Sequence, residues 1–199
     1  MLHFTETIAE TELDFVNIAL SYGQMIQSRK NAGFIDLLTA AKKQDVQVDS
    51  LSKRYGLESF PIHTDCAYFR VPPRYIFLRY VGSFESPSPT FLIDFETDKL
   101  DPAEQQFVKN AIWYVKGSEG GFYTTIYENG VLRYDPEIMK PVNNVPYKMS
   151  DLLEKMRKSQ INWHSNKVLI INNWSTLHAR PTLKPEENGK RILQRINIQ

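Results

Sequence analysis

What this chain lacks narrows its chemistry before any motif is considered. Cys66 is the only cysteine in 199 residues, so the chain forms no intrachain disulfide and has no thiolate set for a structural zinc domain. A lone thiol also points to a reducing compartment, and a cytoplasmic location is expected. No apolar run approaches the ~18 residues of a membrane span, and the stretch from Met1 to Glu6 lacks the basic and then apolar order of a leader. Charge of one sign is missing too: 24 Lys and Arg stand against 23 Asp and Glu, a formal +1. That balance gives no bulk electrostatic footprint for nucleic acid or a membrane, so neither is expected as a partner. Internal repeats and low-complexity tracts are absent. What remains is a chain of ordinary single-domain length with 42% hydrophobic residues, enough for one core. One domain spanning 1–199 is expected.

The residue pattern reads as short strands with helices toward both ends. Thr11 to Gly23 places Leu13, Val16 and Leu20 at helical spacing, with Thr11 as N-cap and Gly23 as stop. Strands are expected at Phe34–Leu38, Arg74–Val81 and Thr90–Phe95, and a polar connection from Gln44 to Gly56. Asp101-Pro102-Ala103-Glu104 suits the first turn of a helix, and Ser150 caps another. Asn129-Gly130 signals a hairpin between Phe122–Tyr127 and Val131–Tyr134. Short strands separated by turns favour a mainly β fold, a double-stranded β-helix or jelly roll.

The chemistry concentrates in His63-Thr64-Asp65. On a strand, residues i and i+2 face the same way, so this pair could reach one ion; the bland alternative is a polar strand end. A third ligand must come from elsewhere. Val168-Leu169-Ile170-Ile171 reads as a buried strand that feeds a polar turn, with His178 on its far side. Two imidazoles and one carboxylate that leave coordination positions open suit a non-haem Fe(II) oxygenase better than a closed zinc site. Beyond His178, an extended Gly189–Ile196 segment places Arg191, Leu193 and Arg195 on one face, and two arginines there suggest an anionic partner.

With these motifs in place, the chain resembles the clavaminate synthase-like and taurine dioxygenase-like Fe(II)/2-oxoglutarate oxygenases, from about residue 50 to the C-terminus. Three separate runs carry the resemblance: Phe60-Pro61-Ile62-His63-Thr64-Asp65 followed by Pro72-Pro73-Arg74-Tyr75; Asn173-Trp174 with Leu177-His178-Ala179-Arg180; and Arg191 beyond the distal histidine, with Arg195 after it. The resemblance implies a jelly-roll fold in which His63, Asp65 and His178 ligate Fe(II). It implies that Arg191 pairs with the distal carboxylate of 2-oxoglutarate, whose planar recognition a guanidinium fork suits, and that Thr90 assists. Arg195 would contact the cosubstrate or an anionic substrate. The implied reaction couples decarboxylation of 2-oxoglutarate to succinate and CO2 with O2-dependent oxidation, foremost hydroxylation, of a C–H bond in a small-molecule or carrier-tethered substrate.

The rivals are desaturation or oxidative cyclisation at the same iron, and a non-catalytic β-barrel binding module. Asp65 argues against halogenation, since halogenases of this superfamily carry a small residue there. Asn172-Asn173-Trp174 departs from the Asp-Asn-Arg of many members, at positions expected to orient the ligands. Cys66, next along the strand, is expected to point away from the metal as a buried thiol, and His3 and His164 lie outside the ligand pattern. Tyr68, Arg70, Arg133, Asn143 and Asn144 are the candidate substrate residues. The chain is short for the family, so loops 45–58 and 135–148 are expected to cover the site as mobile segments.

Overall fold

The computed structural model describes residues 3–42, 54–117 and 120–199. In chain order the strands are β1 (Phe4–Ile8), β2 (Met25–Ile26), β3 (Ile35–Thr39), β4 (Phe60–His63), β5 (Tyr75–Tyr80), β6 (Thr90–Asp94), β7 (Trp113–Gly117) and β8 (Gly120–Thr124). They continue with β9 (Tyr127–Glu128), β10 (Val131–Leu132), β11 (Met139–Pro141), β12 (Arg157–Ile161), β13 (Lys167–Asn172), β14 (Thr176–Arg180) and β15 (Ile192–Ile198). The α-helices that lie wholly within the described residues are α1 (Glu12–Leu20), α2 (Pro102–Asn110) and α3 (Met149–Glu154).

Two antiparallel sheets form the scaffold. The larger has the order β1-β13-β5-β15-β2, with β3 also paired to β15; the smaller has the order β12-β6-β14-β4. Their inner faces share one apolar core, in which Ile76 and Leu78 of β5, Leu169 and Ile171 of β13 and Leu193 of β15 meet Leu92 of β6 and Ile161 of β12. The residues between them face outward: Phe77, Val168, Ile170, Ile196 and Ile198 pack on Phe15 and Ala19 of α1. Because β5 and β13 are covered on both faces, they read in sequence as continuous apolar runs and not as alternating ones. The smaller sheet is covered outside by α2, α3, β7 and β11, against which Leu177 of β14 and Ile62 of β4 pack. This is the double-stranded β-helix expected from the sequence.

Local chemistry sets the helix starts. Thr11 Oγ1 accepts from Asp14 N at 3.1 Å while Asp14 Oδ2 accepts from Thr11 N at 2.9 Å, a reciprocal cap. Asp101 and Glu104 repeat it ahead of α2, with Pro102 in the first turn. Helix α3 begins one residue before Ser150, and its N-cap Lys148 makes no side-chain cap, so Ser150 is not the cap. Asn129 (φ 51°) and Gly130 (φ 81°) turn β9 into β10 as expected of Asn-Gly. The strand before that turn is divided, however: Gly120–Thr124 pairs with β7, and only Tyr127 and Glu128 pair with β10. Gly82, after β5, lies so close to the next strand that a Cβ there would sit 2.2 Å from Lys190 O and 2.8 Å from Ile192 N. The chain can hold Arg191 beside this wall only because position 82 has no side chain. Among the described residues, no helix is long and apolar enough to cross a membrane.

Candidate metal and cosubstrate site

The two histidines meet through strand register. His63 ends β4 and His178 lies at the centre of β14, and the two are direct cross-strand partners with ring centroids 4.3 Å apart. Their neighbours Ile62 and Leu177 pack outward, so alternation turns both imidazoles toward the space between the sheets. His63 Nδ1 lies 2.9 Å from Pro61 O. A carbonyl only accepts, so Nδ1 carries a hydrogen, and Nε2 is the ring nitrogen left to face the interior.

Asp65 arrives differently from the sequence expectation. Strand β4 stops at His63, and Asp65 and Cys66 belong to the turn that follows. Thr64 N–H donates to Tyr134 O at 2.7 Å and Thr64 Oγ1 accepts from Tyr134 N at 3.1 Å, which draws the backbone out of the sheet. Cys66 takes a left-handed conformation (φ 53°) in that turn, so strand alternation does not govern its direction. The thiol is buried, as expected, but Cys66 lines the same cavity as the metal candidates instead of turning away from them, and burial pushes the thiol up to about 12. The Asp65 peptide is fixed from β14's side by fully buried Asn173: Oδ1 accepts from Asp65 N at 2.8 Å, and Nδ2 donates to Asp65 O at 3.0 Å and Pro73 O at 2.9 Å. Asn173 thus orients the carboxylate through its backbone despite the departure from the family run.

The carboxylate bridges the two imidazoles without bonding to either. Its Oδ1 is 3.8 Å from His63 Nε2 and its Oδ2 3.8 Å from His178 Nε2. Burial alone would raise the Asp65 carboxyl, but the Arg195 guanidinium, 2.9 Å from Oδ1, outweighs it with help from the histidines and holds the group well below the usual carboxylate range. Burial, with His63 alongside, lowers the His178 imidazole to about 3. His178 is therefore a neutral imidazole and Asp65 an ionised carboxylate, the forms a metal requires. One ligand atom from each of His63, Asp65 and His178 lies within 4.8 Å of the others, and buried His178 Nδ1 has no hydrogen-bond partner among the described residues. The donor set fits a divalent iron, with one carboxylate charge and two nitrogens on one side and the cavity on the other.

That cavity, about 630 Å³, is in the range of small-molecule sites and is lined by all three residues together with Thr90, Arg191 and Arg195. Arg191 sits one residue before β15. Its Nε donates to Ser88 O at 3.3 Å and lies 3.8 Å from Glu187 Oε2, while its terminal nitrogens make no hydrogen bond among the described residues. Burial, with Arg180 nearby, lowers the guanidinium to about 10, so it stays charged at neutral pH. Thr90 Oγ1 accepts from Trp163 Nε1 at 3.0 Å. With that lone pair filled, the hydroxyl proton remains available to an acceptor in the cavity.

The structure separates the other candidates. Arg195 faces inward and lines the cavity as expected, and it is also engaged by the protein's own carboxylates, with Nη1 on Asp65 Oδ1 and Nη2 on Asp36 Oδ2 at 2.8 Å. Tyr68 lines the cavity and donates to Ser28 O at 2.5 Å. Arg133 does not line it: the buried guanidinium donates to the carbonyls of Ala67, Phe69 and Arg70, tying down the turn after Asp65. Arg70 lies over Phe122, away from the cavity, and Asn143 and Asn144 are exposed outside it. Of the segment 135–148, Met139–Pro141 is a strand paired with β7, and Asp135 alone lines the cavity. Residues 45–53 of the other expected cover lie outside the described residues; from its end, Tyr55 lines the cavity and Arg54 pairs with Glu137 at 2.9 Å. Asp36 is the residue that sequence reasoning missed.

Matched as sequence, the chain fits no family model and no curated protein. Matched as a structure, it is similar to PvcB from Pseudomonas aeruginosa (TM-score 0.68, 15% identity, covering 99% of this chain and 76% of that one), which is an Fe, alpha-ketoglutarate dependent oxygenase. It is also similar to a taurine dioxygenase from Burkholderia xenovorans (0.71, 18%, 98% and 76%). The non-haem iron oxygenase OrfP, crystallised with Fe and alpha-ketoglutaric acid, matches with a TM-score of 0.69 at 14% identity, over 94% of this chain and 64% of OrfP. The fold of this chain is that of taurine dioxygenase and of these iron- and 2-oxoglutarate-dependent oxygenases, as its sequence motifs implied.

Proposed function

We propose that the protein is an Fe(II)/2-oxoglutarate-dependent oxygenase that hydroxylates a small molecule. The observation that carries this reading is the convergence of His63, Asp65 and His178 on one buried point of a cavity whose wall also holds the Arg191 guanidinium, with terminal nitrogens that make no hydrogen bond among the described residues. Bound Fe(II) with 2-oxoglutarate and O2 supplies oxidative decarboxylation to succinate and CO2, and the oxidising power to hydroxylate a C–H bond.

The chain's own residues do the rest. His63, Asp65 and His178 would hold the metal at the wall of the cavity they line. Arg191 takes the distal carboxylate of 2-oxoglutarate as a charge-assisted pair, and the Thr90 hydroxyl donates to the same group. These contacts fix which way the keto acid end points. Tyr55, Phe60 and Tyr68 form the aromatic part of the wall and exclude water from the reacting region. A cavity of about 630 Å³ suits a small-molecule substrate or the end of a carrier-tethered group; OrfP, with the same fold, binds (3S)-hydroxy-L-Arg and L-homoarginine. Cytoplasmic residence, expected from the lone cysteine, belongs to the same proposal. The test is succinate formation from 2-oxoglutarate with Fe(II) and O2 across a panel of small molecules. Substrate-stimulated succinate with a product gaining one oxygen is expected; no succinate above the metal-free control, with any substrate, favours a non-catalytic binding module.

A further inference from the structure

The least expected feature beside the site is a second carboxylate. Strands β3 and β15 pair so that Asp36 stands directly opposite Arg195, and alternation turns both side chains inward. The guanidinium then lies between two carboxylates, with Nη1 on Asp65 Oδ1 at 2.9 Å and with Nη2 and Nε on Asp36 Oδ2 at 2.8 and 3.3 Å. Asp36 is itself held, since Ser28 Oγ donates to its Oδ1 at 3.1 Å. All three charged side chains are nearly buried, at 8–13% exposure. As a device for stability this is poor, because an apolar pair on β3 and β15 would fill the same space without desolvating three charges.

We propose that Asp36 is a positioning residue for the metal ligand Asp65, acting through Arg195 to leave the ligand one unneutralised negative charge. This inference rests on the iron site proposed above. Arg195 alone would cancel the charge of Asp65 and compete with the metal for it. With Asp36 sharing the guanidinium, the three groups together carry −1, and that charge is available to the ion. Geometry follows the same logic. Two N–H groups on Asp36 lock the plane of the guanidinium, and the locked Nη1 occupies Oδ1. Oδ2, on the His178 side, is left as the metal-facing oxygen.

The test is a Co(II) titration of the whole chain, read by visible absorption, with four proteins compared at one pH: wild type, Asp36→Asn, Arg195→Gln and the double variant. Net charges on the cluster are −1, 0, −2 and −1 in that order. Asp36→Asn is expected to weaken Co(II) binding by about 10–100-fold, Arg195→Gln to bind at least as tightly as wild type, and the double variant to recover most of the loss. A role in packing alone predicts the opposite for the double variant, which would then be the weakest. Asp36→Asn binding like wild type, or the double variant binding no better than Asp36→Asn, overturns the proposal. If Asp36→Asn does not fold, Asp36→Ser takes its place in the same comparison, and binding like wild type, or no recovery when Arg195→Gln is added to it, overturns the proposal. His178→Ala in the same titration separates the two levels of inference. Should it bind Co(II) like wild type, the iron site itself is wrong; should it lose binding while Asp36→Asn does not, only the role of Asp36 is wrong.

Discussion

Replacing Asn173 by aspartate is a sharp test of how the turn after His63 is held, because the two side chains have nearly the same volume and shape. No cavity forms, and the change reduces to hydrogen bonding. In the wild type, Nδ2 donates to Asp65 O and Pro73 O, while Oδ1 accepts from Asp65 N. Aspartate keeps the accepted bond but turns an oxygen toward two carbonyls. Each buried acceptor left without a donor costs about 1–3 kcal/mol, so the pair costs about 2–6 kcal/mol; a protonated carboxyl, which restores one donor, gives the lower end. Against a total stability of about 5–15 kcal/mol, such a loss is plain in urea denaturation. Because the same contacts place Asp65, Co(II) affinity should fall with stability, and should stay low under conditions where the variant is still fully folded. A variant within about 0.5 kcal/mol of wild type and with unchanged Co(II) affinity would refute the clamp.

Other expectations follow from the same packing and charges. Arg191→Gln should raise the 2-oxoglutarate concentration needed for half-maximal binding by the equivalent of about 2–5 kcal/mol, the range for truncating one partner of a buried charged pair, whereas Arg195→Gln should leave that concentration far less changed; isothermal titration with 2-oxoglutarate and Mn(II) checks both. Phe15→Ala, which empties the anchor of α1 on the outer face of the larger sheet, should lower stability by about 3–5 kcal/mol in chemical denaturation without altering metal affinity. Gly82→Ala forces its Cβ against Lys190 O and Ile192 N, so it should cost about 1–3 kcal/mol and also weaken 2-oxoglutarate binding, since Arg191 lies between those two residues.

The fold was legible where burial and turn chemistry leave marks in sequence. Tyr75–Tyr80 and Lys167–Asn172 carry apolar runs because both their faces are covered, and Asn129-Gly130 marks its turn because few other pairs tolerate two positive φ values. The metal candidates were legible because few residue types can donate to iron, which makes His63, Asp65 and His178 visible as a set. Their local geometry was not. Asp65 leaves the strand on account of hydrogen bonds between Thr64 and Tyr134, residues far apart in sequence. Arg133 looked like a substrate residue because a sequence does not reveal that the carbonyls of residues 67, 69 and 70 surround its guanidinium. Asp36 read as an ordinary strand residue, since its partner Arg195 is 159 positions away and only the β3–β15 register brings them together. What the sequence hides here is register, and register decides which charges become neighbours.

The most direct measurement of the central claim is an anaerobic titration of the protein with Fe(II) and 2-oxoglutarate, followed by visible absorption. Wild type is expected to develop the weak charge-transfer band of a keto acid chelated to iron. His178→Ala should lose the band by removing a ligand, and Arg191→Gln should develop it only at much higher 2-oxoglutarate. No band in wild type at saturating iron and cosubstrate, or a band of equal strength in His178→Ala, would contradict the assignment of this site.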